Sequence, residues 1–266
     1  MTSTSFRDAT SVTCTDGRTW SSEIQPGWDI AGNANGGYLM AIGARALLAV
    51  TGRTDPTTVT AHFLAPGKPG PVAIAPTVIR SGRRFSTATG TLTGERGPVL
   101  ALLGTFGSLP EHPDALYVDG GPPELPPPDE CIGVQATDTF PPPFMGKVDL
   151  RINPTDAGFL GSSRSGIPRM TGWFRLLHGE EISAMALLCA LDAFPPTVFN
   201  TDLPIAWTPT LELTAHIRAR PCPGWLRGRF TTRFVTGGYL EADGELWDAS
   251  GRLVAQSRQL ALVPRT

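Results

Sequence analysis

Residues 180–196 read EEISAMALLCALDAFPP, and from position 182 to 194 nearly every side chain is apolar or small. A helix built on that run has no face left for water, so other elements must wrap it. One carboxylate, Asp192, stands inside it. A charge in apolar surroundings is costly and needs a partner or a chemical purpose. A second run of the same kind, GGYLMAIGARALLAV at residues 36–50, has Arg45 as its only charge. Asn35 is placed to cap that helix and Gly52 to end it.

Each of these helices is followed by strand-like segments rich in Val, Thr, Ile or Phe and bounded by Gly or Pro. In the first half they fall at residues 58–64, 72–80, 85–92 and 99–106, after a strand and turn near 18–28. In the second half the helix is preceded by strands at 147–152 and 170–177. Four more follow it, at 210–218, 225–235, 239–247 and 253–263. The order of elements repeats, and one short stretch is echoed: Thr60-Ala61-His62-Phe63 and Thr214-Ala215-His216-Ile217 both occupy the first strand after a helix. Between the halves, residues 107–143 carry PPELPPPDE and FPPPF, too proline-rich for a helix or a central strand. The chain therefore divides into an N-terminal unit (1–107), a proline-rich linker (108–143) packed along the surface, and a C-terminal unit (144–266). A sheet that curls round a buried helix satisfies each half, and two such sheets can join edge to edge. The fold class is α+β, a double hotdog.

Composition narrows the function. Hydrophobic residues make up 41% of the 266, enough for a large core, while a formal net charge of −2 provides no electrostatic footprint for nucleic acid. No apolar span is long enough to cross a bilayer, and the N-terminus lacks signal-peptide order, so a cytoplasmic protein is expected. Cys14, Cys131, Cys189 and Cys222 are scattered without metal-ligand spacing, so neither a zinc site nor a disulfide framework is expected, only reduced, mostly buried thiols. GxSxG, GxGxxG and Walker motifs are absent. None of His62, His112, His178 and His216 follows an Asp by five positions, which disfavours hydratase chemistry of the hotdog type. His62 and His216, at matching strand positions, are expected to pack or pair across the pseudo-twofold.

The chain resembles the acyl-CoA thioesterase II family, the double-hotdog thioesterases, and most closely their actinobacterial thioesterase-like branch. In the first half the likeness is carried by NGGYLMAIGARAL (35–47), TAHFLAPGKPGPV (60–72) and VIRSGRRFSTATGTL (78–92). In the second half it lies in LLCALDAFPP (187–196), PTLELTAHIRARPCPGWL (209–226) and DASGRLVAQSRQLALV (248–263). The resemblance implies hydrolysis of an acyl-CoA substrate without metal or organic cofactor, in a homo-oligomer. It also implies an Asp, a hydroxyl residue and a Gln holding the hydrolytic water, which map onto Asp192, Thr210 and Gln259. Thr208 is the weaker alternative to Thr210. Gln259, four residues after Val254-Ala255, is preferred to Gln256.

Thioester hydrolysis needs a positioned water, a proton acceptor and donors for the oxyanion. A carboxylate desolvated in an apolar groove suits the acceptor, because burial raises its pKa towards neutrality. The helix at 36–50 holds no acid, so one active site per chain is expected, with the first half shaping the acyl groove. Taken singly, Asp192 also reads as a turn-capping residue and Thr210 and Gln259 as ordinary strand residues. Glu180 and Glu181 read as favourable charges in a first helical turn. For the phosphates of coenzyme A the candidates are Arg80, Arg83 and Arg84, with Arg227, Arg229 and Arg233 as a second group. Two other functions fit the same fold: hydrolysis of carrier-protein thioesters, and acyl-thioester binding without catalysis.

Overall fold

The computed structural model describes residues 4–110, 117–137, 140–161 and 163–264. The first half contains β1 (Trp20–Ile24), helix α1 (Gly36–Thr51), β2 (Asp55–Phe63), β3 (Gly70–Ile74), β4 (Thr77–Ser81), β5 (Ser86–Gly94) and β6 (Gly97–Gly107). The second contains β7 (Val148–Ile152), β8 (Arg169–Leu176), helix α2 (Ala184–Ala190), β9 (Thr210–Ile217), β10 (Leu226–Thr231), β11 (Tyr239–Trp247) and β12 (Leu253–Leu262). These strands form one antiparallel sheet in the order β1-β3-β5-β6-β2-β9-β12-β11-β10-β8-β7, with β4 beside β5.

The halves meet where the sequence echo lies. β2 pairs with β9 so that Thr60 faces Thr214, and their hydroxyls are 2.9 Å apart. The echoed strands are thus the two innermost, and a local pseudo-twofold passes between the threonines. The histidines do not meet across it: His62 lies opposite Glu212 and His216 opposite Thr58, and both are exposed. His112 lies outside the described residues.

α1 matches its sequence pattern closely. Asn35 accepts a hydrogen bond from the Tyr38 amide at 2.9 Å, and Gly52 ends the helix in the left-handed region at φ 64°. Tyr38, Met40, Ile42 and Leu47 are fully buried, as a helix apolar all round requires. α2 is shorter than the expected 182–194. Ser183 caps it by accepting from the Ala186 amide, and the helix ends at Ala190. Pro195 and Pro196 disfavour helical geometry just beyond, leaving Asp192 in the turn that follows. Glu180 and Glu181 therefore lie outside the helix. Glu180 instead accepts from the amides of Phe6 and Arg7, at 2.7 and 2.8 Å, pinning the N-terminal segment down.

Two further expectations change. The strand expected over 72–80 is split into β3 and β4 at Ala75-Pro76, where proline removes a ladder donor. Of the cysteines, Cys131 and Cys189 are buried, Cys222 is intermediate and Cys14 is exposed, all as free thiols. Within the proline-rich linker, residues 111–116 and 138–139 lie outside the described residues. The remainder packs on the sheet: Ile132 pairs with Ile152, and Trp173 Nε1 donates to the Pro126 carbonyl at 2.8 Å. No helix among the described residues is long and apolar enough to cross a membrane.

Candidate active site

α1 and α2 pack against each other, and Asp192 comes to rest at the N-terminus of α1. Its Oδ2 accepts from the Gly37 amide at 2.9 Å and from Asn35 Nδ2 at 2.9 Å. The same Asn35 nitrogen also donates to the Asp192 carbonyl at 2.8 Å. Asn35 is almost fully buried, so one side chain both starts α1 and grips the end of α2. Two glycines make the approach possible. A Cβ on Gly37 would lie 2.5 Å from the Leu188 carbonyl oxygen, and one on Gly36 would lie 2.7 Å from the Phe63 ring. Only glycine lets backbones come this close.

Burial pushes the Asp192 carboxyl up to about 6, although the amides of Gly37 and Gly36 and the side chain of Asn35 pull it down. The same burial raises the neighbouring Cys189 thiol, further opposed in ionising by Asp192. Asp192 thus exchanges protons near neutral pH, while the positive end of the α1 dipole stabilises its charged form.

A cavity of about 690 Å³ opens over this point, and Asp192, Thr210 and Gln259 all line it. Gln259 Nε2 donates to Thr210 Oγ1 in a short contact. Among the described residues no hydrogen bond joins Asp192 to either of them, so the three share a cavity without forming one bonded chain. Thr208 also lines the cavity, but its hydroxyl donates to the Ala206 carbonyl at 3.1 Å. Gln256 faces the other side of β12, accepting from Arg218 at 2.8 Å. Apolar side chains dominate the remaining wall, among them Phe194, Phe199, Phe230, Leu240 and Ala242.

Thr210 faces the cavity because of a β-bulge. In β9, Glu212 lies opposite Leu260 but Thr210 lies opposite Ala261, so Leu211 is one residue too many. Glu212 and Thr214 bond to each other on the outer face. Strict alternation would put Thr210 beside them, and the extra residue turns it inward. The bulge leaves no clear mark in sequence. Asn35, Gly36 and Gly37 were legible only as a helix start, and their place against Asp192 required the packing of α1 on α2.

Arg80, Arg83 and Arg84 do not line the cavity. Arg53, just beyond the C-terminus of α1, donates to the carbonyls of Gly82 and Arg83, which anchors their turn at that end of the helix. The cavity lies at the other end, sixteen residues or about 24 Å away along the axis. The second arginine group is engaged elsewhere: Arg227 sits over the Trp173 ring, Arg229 pairs with Glu245 and Arg233 with Asp243.

Comparison with known proteins places this geometry. Residues 24–107 match the family model for the acyl-CoA thioesterase N-terminal domain, and residues 123–263 match that for the C-terminal domain. A structure from Thermobifida fusca, provisionally named a thioesterase II, is 35% identical with a TM-score of 0.90, covering 100% of this chain and 99% of that one. A protein of unknown function with a hotdog fold from Alicyclobacillus acidocaldarius has a TM-score of 0.84 at 22% identity, covering 98% of both chains. An uncharacterised protein of Mycobacterium tuberculosis is 31% identical over 93% of this chain and 91% of its own length. The fold is the double hotdog and the protein is a thioester hydrolase. The chain belongs to the acyl-CoA thioesterase family.

Proposed function

We propose that the protein hydrolyses an acyl-CoA thioester to the free carboxylic acid and coenzyme A, with Asp192 as general base. The observation that carries this reading is the half-buried Asp192 carboxyl, its pKa near 6, on the wall of an apolar cavity it shares with Thr210 and Gln259. The Thr210 hydroxyl and the Gln259 amide orient a water, and its oxygen attacks the thioester carbonyl carbon while a proton passes to Asp192. The tetrahedral oxyanion forms beside the α1 N-terminus, whose dipole favours negative charge. Cleavage of the C–S bond then releases the thiol, which takes the proton back from Asp192, and the acid. No covalent acyl-enzyme is required.

On this reading the catalytic side chains belong to the C-terminal unit (144–266), and the N-terminal unit (1–107) supplies Asn35 and Gly37 across the linker. The decisive experiment is a thiol-release assay with acyl-CoAs of several chain lengths on the wild type and Asp192→Asn. Turnover by the wild type that survives in the variant would overturn the role given to Asp192. Running the same acyl group on a carrier protein separates the two leaving groups, and tight binding without thiol release would favour a binding protein. Leu103 and Leu260, half-exposed on the strands that flank β2 and β9, would be covered by a second copy in a homo-oligomer. Light scattering tests that assembly.

A further inference from the structure

The cavity wall has two unlike parts, one limb lined by the second half of the chain and one lined by the first. The second-half limb is walled by Phe194, Phe230, Leu240 and Ala242. The arginines near its strands are satisfied: Arg233 and Arg258 by Asp243, and Arg229 by Glu245. The first-half limb is built from segments 30–36 and 63–67, and it adjoins a second groove of about 420 Å³ that shares Asn33, Ala65 and Pro66 with it. Lys68 and Arg96 line this groove. Among the described residues Lys68 donates only to neutral oxygens, the Gly32 carbonyl and Asn33 Oδ1, each at 2.7 Å. Among the described residues neither cation belongs to an ion pair with a carboxylate. Glu95 also lines the groove, leaving it one net positive charge.

Resting on the proposed thioester hydrolysis, we propose that the groove carrying Lys68 and Arg96 binds the phosphates of the leaving thiol, so that the acyl chain occupies the second-half limb. The chemistry supports that direction. An uncharged chain gains from an apolar wall without paired charges, and a phosphate gains from cations that carry no carboxylate of their own. A thioester bond held at Asp192 lies between the two.

The test compares one acyl group on coenzyme A, on 4′-phosphopantetheine and on pantetheine. The wild type should prefer the phosphorylated thiols, and the ratio of kcat/KM for coenzyme A over pantetheine should fall about tenfold in Lys68→Gln/Arg96→Ala, about 1.4 kcal/mol. Glutamine keeps a donor for Gly32 and Asn33 while removing the charge. Arg80→Ala, about a helix length from the cavity, should leave the ratio unchanged. If the loss appears with coenzyme A but not phosphopantetheine, the nucleotide phosphates are bound. Loss with both places the pantetheine phosphate there. Calorimetric binding of coenzyme A to Asp192→Asn, with and without the double substitution, reads the same site without turnover, so failed catalysis and a failed phosphate site are distinguishable. An unchanged ratio, no preference in the wild type, or coenzyme A affinity indifferent to both cations would overturn the proposal.

Discussion

The two core helices share an all-round apolar pattern and end in different surroundings. α1 runs sixteen residues, capped by Asn35 and closed by Gly52, and carries no acid. α2 runs seven, started by Ser183 and cut short before the two prolines, and hands the chain to Asp192. Neither makes the site alone. α2 delivers a carboxylate into an apolar cavity, and α1 brings the donors that hold it. On the proposed reading, the repeated order of elements provides two core helices, one leading to the base and the other positioning it.

The largest way to break this division is to remove the proposed base. Asp192→Asn should lower kcat by about 10²–10⁴, the usual share of general-base catalysis, in a thiol-release assay with the fold intact by circular dichroism. A pH signature should accompany it. The folded carboxyl titrates near 6 against an ordinary value of 3.8, so the native state binds more protons between those values. Its contribution to stability is therefore greatest at low pH and is lost as pH rises from about 4 to about 6. Denaturant midpoints across that window should show the loss in the wild type and not in Asp192→Asn. The wild-type kcat/KM should meanwhile rise with pH through a limb near 6.

Next comes the contact between the helices. Gly37→Ala puts a methyl 2.5 Å from the Leu188 carbonyl oxygen and must push α1 off α2. A stability loss of about 1–3 kcal/mol is expected in urea melts, the range for overpacking, with activity falling as Asp192 loses its donor. Full activity at wild-type stability would show that the close approach is unnecessary.

Smaller effects are expected from Thr210 and Gln259, the pair proposed to hold the water. Thr210→Val and Gln259→Ala should each lower kcat about tenfold, roughly one hydrogen bond's worth, and the double variant little further because the two side chains bond to each other. Additive losses would mean that they act separately.

The subtlest change falls on Asn35. Asn35→Ala removes a helix cap worth about 1 kcal/mol and a hydrogen bond that favours the charged form of Asp192. The acid limb of kcat/KM should therefore move to higher pH, measured as a full pH profile. A limb that stays in place would reduce Asn35 to a cap for α1.

Much of this was legible in the chain itself. Runs without a polar face marked both helices, because a helix that offers water nothing must be enclosed. Asn35 and Gly52 marked the limits of α1, since local hydrogen bonding and left-handed geometry decide helix ends. The repeated order of elements and the TAHF/TAHI echo marked the duplication. The lone carboxylate at position 192 stood out against its apolar surroundings. Tertiary structure alone decided the rest, because it depends on distances between residues far apart in the chain. It set Gly37 against Leu188, brought Asn35 onto Asp192, and held Arg80, Arg83 and Arg84 at the far end of α1. Most tellingly, one extra residue at Leu211 turned Thr210 inward. A two-residue period cannot record that turn, because a bulge is defined by pairing with the neighbouring strand.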